Sequence, residues 1–385
     1  MKKYMSLLLL AITLILLSAC GDNIDYTKLM ISVYLEGTDN NKSIEIYNSG
    51  DTDVSLSDFN IGIYQVGDEE PSNKISLEGT LKAKECYVVS HSGANQDILS
   101  KTNLKTDNLS FAGKEGIALL YKKTVVDVIG TIGMRNDMRD ITYVRKVDMT
   151  TPSTTFDLYN FIIYNCDNSN YLGEFINSVT PEELLEGPKF DPKYLDIDFF
   201  KEDPLVGLGG AVEVTLSSNV DGDTSYFAFT DDNITNHVAS SSKYTVNGVT
   251  SAKVRYQDIN TPETTKNNIM EFGWPAKLYT AELQNKADKI YVQTVKNDSF
   301  LCTYGRIMGY VFVCNGDDSK LVNYEIIKKG YSTISFEYNK EMTYKDIPYY
   351  GYMMNAKLYA EKNKLGLNGE IDPYWDYTKD QSIYA

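Results

Sequence analysis

VRYQDINTPET, residues Val254–Thr264, opens as a strand and closes as something else. Val254, Tyr256 and Asp258 alternate with Arg255, Gln257 and Ile259, the period of two that a half-buried strand requires. The chain then turns polar around Pro262, whose ring fixes the backbone. An arginine, an amide, a hydroxyl and a carboxylate (Arg255, Asn260, Thr261, Glu263) therefore crowd the end of one strand. A strand that only builds a core has no need of such an ending.

The chain has 385 residues, enough for two or three domains. Its composition is globular, with 42% hydrophobic and 23% charged residues. The net charge of −16 argues against a non-specific nucleic-acid-binding surface. That charge is uneven: residues 211–368 sum to −1 and the remainder to −15. Work on a polyanion must therefore sit in the second half and rely on a local cluster.

The N-terminus reads as a processing signal. MKK is followed by an apolar run, Met5–Leu17, closed by LSAC. The run is too short to span a bilayer comfortably and ends in small residues. It resembles a bacterial lipoprotein signal over residues 1–20, which implies lipid attachment at Cys20 and a protein on the extracytoplasmic face of the cell membrane. Residues 21–30 then read as a short linker. Export permits disulfides among Cys86, Cys166, Cys302 and Cys314. Cys302 and Cys314 bracket one extended strand, so they are not expected to reach each other. No CxxC metal spacing occurs.

Residues 31–176 read as all-β. ISVYLEG, SIEIYN, IGIYQVG, CYVVS, GIALLYKK and VVDVIG are short β-rich runs separated by Asn, Asp and Gly clusters. VYLEGTDNNKSIEIYNSGDTDVSLSDFNI resembles the opening of a lamin-tail domain. FAGKEGIALLYKKTVVDVIGTIG and TFDLYNFIIYNCDNSNYLG resemble its later strands, with Phe161 where a Trp is usual. The resemblance implies an immunoglobulin-like β-sandwich and leaves the ligand of this domain unknown. Residues 177–210 read as a linker with a short helix near Pro181–Glu186. From Ala211 the runs AVEVTLSSNV, SYFAFT and SAKVRYQDI predict three strands, and WPAKLYTAELQNKADKI predicts a helix with Ala276, Tyr279, Leu283, Ala287 and Ile290 on one stripe. KIYVQTV and GRIMGYVFVC predict strands of period two, LVNYEIIKKG a helix closed by Gly330, and residues from about Pro348 a last helix. That order is the one expected of an OB-fold β-barrel with flanking helices. Residues 369–385 form a polar, aromatic tail with no role legible in them.

Three weak signals fall on successive predicted strands: DGDT at Asp221–Thr224, RYQDINTPET, and YGR at Tyr304–Arg306. Each alone is an ordinary turn or an exposed arginine. In this order they resemble the staphylococcal-nuclease-like family, the thermonucleases. EFGWPA, LVNYEIIKKGYS and NAKLYAEKNKLGLNG extend the likeness over residues 211–368. It implies a calcium-dependent endonuclease on DNA and RNA, with Arg255 and Arg306 clamping phosphate and Glu263 as the catalytic carboxylate. Tyr304, Phe336 and Tyr338 match positions that flank the substrate's base.

The residue types agree with that chemistry. Phosphodiester cleavage needs a hard cation, a group to position or deprotonate water, and positive charge on the developing oxyanion. His91 and His237 lie in different segments, which excludes a His pair. The Asp223 carboxylate, the Asn260 amide oxygen and the Thr261 main-chain carbonyl suit calcium, which takes oxygen ligands in flexible geometry. The family prototype carries a second aspartate where this chain has Asn260, so weaker calcium binding is expected. Asp258 would share a face with Asn260 only in an unbroken strand. The alternative reading is a non-catalytic surface-binding lipoprotein in which the lamin-tail domain carries the main role.

Overall fold

A computed structural model of the chain describes residues 26–201, 205–265, 268–335 and 341–384. The chain is multidomain and mostly β, with few helices. It divides into two compact units. The first runs to Arg139 and adds Met149–Phe156 and Ser169–Phe175; the second takes Asp140–Asp148, Asp157–Asn168 and everything from Ile176. Among the described residues no helix is long and apolar enough to cross a membrane.

The first unit holds eight main strands: β1 (Leu29–Glu36), β2 (Lys42–Asn48), β3 (Phe59–Tyr64), β4 (Asn73–Ser76), β5 (Cys86–His91), β6 (Leu104–Thr106), β7 (Gly116–Tyr121) and β8 (Thr124–Ile129). Within this unit β1-β2-β5-β6 are successive neighbours in one sheet and β8-β7-β3-β4 in another. Every apolar run quoted from this part of the sequence forms a strand, and the arrangement is consistent with an immunoglobulin-like sandwich. Its core is not wholly apolar. Glu45 on β2 is fully buried and accepts from Ser32 Oγ at 2.7 Å and from the Gly173 amide.

The second unit begins with a hairpin, β9 (Ile141–Arg145) and β10 (Phe161–Asn165). The C-terminal helix packs on it: a Cβ at Gly351 would lie 2.4 Å from the Ile163 carbonyl, and Lys146 Nζ donates to Asn355 Oδ1 at 2.6 Å. Residues 177–210, read as a connector, carry α1 (Pro181–Glu186), closed by a Thr180–Glu183 capping box. They also lie on this unit, with Phe190 stacked on Tyr291 at 4.2 Å and Phe199 edge-on to Phe300 at 5.3 Å.

The site is carried by β11 (Ala211–Asn219), β12 (Thr224–Phe229), β13 (Lys243–Val246), β14 (Val249–Tyr256), α2 (Gly273–Asn285), β15 (Lys289–Gln293), β16 (Ile307–Asn315), β17 (Asp318–Leu321), α3 (Val322–Lys328) and α4 (Tyr349–Lys362). Strand order is β13-β14-β12-β11-β15-β16-β17, and β14 also pairs with β16 in parallel, so the chain of pairings returns to β14. The β13 arm is absent from the sequence reading; its turn, Asn247–Gly248, takes positive φ at both residues.

Two periodicities differ from expectation. β16 is buried from Ile307 through Val313 rather than alternating, because its second face is covered too: Phe190 and Tyr349 both meet Phe312. Helix α2 ends at Asn285, so Ile290 belongs to β15, and the buried positions are Gly273, Pro275, Ala276, Thr280 and Gln284. An apolar count misses Thr280 and Gln284, whose polar atoms are matched: Thr280 Oγ1 donates to the Gly222 carbonyl at 2.8 Å, and Gln284 accepts from Ser225 Oγ at 3.2 Å. The tail is structured as well. Asp372 is buried and accepts from the Phe272 amide at 2.6 Å, just ahead of α2, while Trp274 and Tyr384 approach at 4.6 Å.

The buried Glu45 generates a pH dependence. Burial, opposed by the Gly173 amide, Ser32, the Cys86 thiol and Lys101, raises its pKa from 4.5 to about 7. Between those values the folded state holds a proton that the unfolded state has lost, so stability falls as pH rises across that window. The first unit is expected to lose roughly 3 kcal/mol between pH 4 and pH 8 through this group. Glu45→Gln should flatten that slope in denaturant unfolding at a series of pH values; an unchanged slope would place the titration elsewhere.

Candidate active site

Asp223 leaves the Asp221–Gly222 turn and enters β12. Close approach requires the glycine: a Cβ there would sit 2.7 Å from the side chains of Ala276 and Thr261. Antiparallel pairing sets Thr224 opposite Arg255, and the Tyr256 amide donates to the Asp223 carbonyl at 2.8 Å. This register places the guanidinium of Arg255 on the Asp223 carboxylate as an ion pair, with Arg255 6% and Asp223 5% exposed.

The loop after β14 completes the enclosure. Asp258 takes φ 63°, which breaks the strand and redirects the chain. Asn260 and Thr261 then face back. Thr261 donates to Asp223 Oδ2 from its amide at 2.7 Å and its hydroxyl at 3.1 Å, and Thr224 Oγ1 donates to Oδ1 at 2.9 Å. Arg255 Nη2 donates to Asn260 Oδ1 at 2.7 Å. The loop is fixed from behind by Ser332 Oγ, which accepts from the Asn260 amide at 2.9 Å, and by Asn323 on α3, which donates to the Gln257 carbonyl at 2.8 Å.

Asp223, Arg255, Asn260 and Thr261 are thus brought together. Glu263 is exposed; its side chain accepts from Thr265 Oγ1 at 3.2 Å and its carbonyl from the Met270 amide at 2.9 Å. Arg306 immediately precedes β16, whose register pairs Arg255 with Met308. Arg306 Nε donates to Cys302 Sγ at 3.3 Å, and its guanidinium lies 5.4 Å from the centre of the Tyr304 ring. Tyr304 is 73% exposed. Phe336, Tyr338 and Cys20 lie outside the described residues. Asp258 does not share a face with Asn260: it is buried and committed to Tyr310 and Gln257, and burial raises its pKa to about 6.

Asp221 is the group that sequence reading left without a role, although it stands in the quoted DGDT. Burial, then the charge of Asp223 and, more weakly, that of Glu263, raises its pKa to about 7. The donors here are carboxylate, amide and carbonyl oxygens, which fit a hard cation. Among the described residues no group of three or more His, Cys, Asp or Glu side chains is close enough to hold a metal by itself.

Comparison with known families places two matches on the chain. Residues 24–133 match the model of the Lamin Tail Domain, and residues 253–368 match that of the Staphylococcal nuclease homologue. The order is the one read from the sequence. Arg255, Asn260, Thr261, Glu263 and Arg306 fall inside the second match, whereas Asp221 and Asp223 precede it. No curated relative matches the chain.

The ion pair yields a stability prediction. Removing one partner of a buried pair strands the other and typically costs about 3–5 kcal/mol. Arg255→Ala is expected to destabilise the second unit by roughly that amount. Arg255→Ala with Asp223→Ala should cost less than the sum of the two single changes. Additive losses in a urea double-mutant cycle would mean that the two charges are not coupled.

Proposed function

We propose that the second unit is a calcium-dependent endonuclease that hydrolyses phosphodiester bonds in DNA and RNA. The match to a staphylococcal nuclease homologue over residues 253–368 supports nuclease chemistry in general. The observation that carries the finer reading is the convergence of Asp223 and Arg255 from β12 and β14 with Asn260 and Thr261 from the following loop. The circuit of strand pairings from β11 to β16 agrees with the topology of an OB-fold barrel.

Asp221, Asp223, Asn260 and the Thr261 carbonyl would hold the cation, which neutralises phosphate charge when bound. Arg255 then has a second task. Its guanidinium, held by Asp223 and Asn260 beside the cluster, would offer its remaining donors to a phosphate oxygen. Arg255 and Arg306 present planar forks suited to bidentate phosphate contact. Glu263, exposed at the edge of the cluster, orients the attacking water or takes its proton. Tyr304, largely exposed beside Arg306, offers a face for a base.

The signal at residues 1–20 supports a chain tethered through lipid on Cys20 at the extracytoplasmic face of the membrane, with the lamin-tail segment as a spacer or binding module. The rival reading, a non-catalytic binding lipoprotein, draws on one observation: the Asp223 carboxylate is already saturated by protein donors.

One assay separates the two. Purified chain should nick and degrade plasmid with calcium and stop on chelation, and Glu263→Ala and Arg306→Ala should each lower the rate by roughly 10²–10³-fold. Rates like the unaltered chain in either variant would sink the assignment, and inert wild-type protein would favour the binding reading. For the tether, Cys20→Ser is expected to move the protein from the membrane fraction to the soluble one; full retention after alkaline wash would rule out lipid on Cys20 as the anchor.

A further inference from the structure

The outward face of β12, β14 and β13 leads away from Arg255. On β14, Arg255, Lys253, Ser251 and Val249 share one side, since alternate residues of a strand face the same way. Val254 and Ala252, on the other side, are fully buried; on this side Ser251 and Arg255 are also buried, Lys253 is half-buried and Val249 is exposed. Register sets Tyr226 of β12 beside Lys253, and Tyr244 of β13 beside Ser251. The side chains meet accordingly. Lys253 Nζ lies 5.1 Å from the centre of the Tyr226 ring, and the Tyr226 and Tyr244 rings approach at 5.7 Å.

This face is unlike an ordinary solvated sheet. Tyr244 is 49%, Val246 45% and Val249 52% exposed, around a shallow groove of about 290 Å³. In a chain of net charge −16, none of the outward positions from Thr224 to Ala228, from Val249 to Arg255, or at Tyr244 and Val246 is a carboxylate. The charges at these positions are Lys253 and Arg255, the second already paired with Asp223 at the far end of the face. Aromatic rings with a cation and no acid suit a ligand with flat faces and a negative backbone. A double helix hides its base faces; a single strand offers them.

Resting on the nuclease reading of the neighbouring site, we propose that Tyr226, Tyr244 and Lys253 form a stacking platform for single-stranded nucleic acid, continuous with the phosphate contacts at Arg255. From Arg255 to Ser251, beside Tyr244, is four residues of strand, or ~13 Å. A dinucleotide at the scissile position falls short of Tyr244, and a longer strand covers it. The platform makes length and single-strandedness into affinity, while the chemistry stays at the Asp223–Arg255 end. The β13 arm, which stands outside the closed circuit of pairings, is the element that supplies Tyr244.

The test is binding of fluorescein-labelled oligothymidylates to the full chain with calcium chelated, so that nothing is cleaved. Tyr244→Ala should weaken a 12-mer about tenfold and leave a dinucleotide unchanged, and Tyr244→Phe should retain the affinity of the unaltered chain. Lys253→Ala should reduce the slope of log affinity against log salt by ~0.7 for the 12-mer, the signature of one lost single-strand phosphate contact. A blunt duplex of equal length should respond to neither aromatic change. Unchanged 12-mer binding in Tyr244→Ala would overturn the platform, as would equal losses for dinucleotide and 12-mer, or for single strand and duplex. Calcium-dependent cleavage of the dinucleotide by the unaltered chain tests the nuclease reading separately; its failure would count against that reading, and the length dependence would still decide the platform.

Discussion

The buried carboxylate of Asp223 is the constraint around which the second unit is arranged. An ionised carboxylate out of water is costly unless charge and hydrogen bonds replace its hydration. Here Arg255, Thr224 and Thr261 supply both oxygens with donors. Three chain segments are pinned by that requirement: the turn before β12, the end of β14 and the loop to Pro262. The loop is held from behind as well, by a short antiparallel pairing of Ile259–Asn260 with Thr333–Ile334.

A second polar layer lies beneath and holds the first in place. Tyr256, the residue after Arg255, turns the other way and meets Ser225 Oγ at 2.7 Å and the Gln284 side chain. Thr280, one turn earlier on α2, holds the Gly222 carbonyl. The Asp221–Gly222 turn is therefore set by a helix that contributes no atom to the chemistry. On the far side Asn323 bridges β16 and the Asp258 loop, accepting from the Val311 amide at 3.0 Å while donating to the Gln257 carbonyl. Networks of this kind are rigid when fully satisfied.

The first unit uses the same device differently. Glu45 is a carboxyl buried in a sheet with no cation in contact; its partners are a hydroxyl, an amide and a thiol. Burial of that kind favours the neutral form, where Asp223 is matched by a full positive charge. One carboxyl is kept among neutral partners and the other against a full positive charge, and the difference lies in the neighbours.

Much of this was legible in the sequence. The β-rich runs, the helix closed by Gly330 and the quoted residues Asp223, Arg255, Asn260 and Thr261 all follow from local pattern and resemblance, because strand period, turn chemistry and motif spacing are written in consecutive residues. What the local pattern could not carry were relations across sequence distance. That Arg255 covers Asp223 depends on the register of β12 against β14, more than 30 residues apart. The buried side of α2 was misread because Thr280 and Gln284 look solvent-facing until their partners are known. The β13 arm, with Tyr244 and Val246 exposed, lacks the core-facing apolar residues that announce a strand. The tail looked featureless because its one anchoring group, Asp372, is recognisable only against the Phe272 amide, 100 positions earlier. Sequence by itself determined which residues are candidates for the site and on which elements they lie. Tertiary structure decided which charges meet, because a buried polar group is defined by its partner, and partners are chosen by packing.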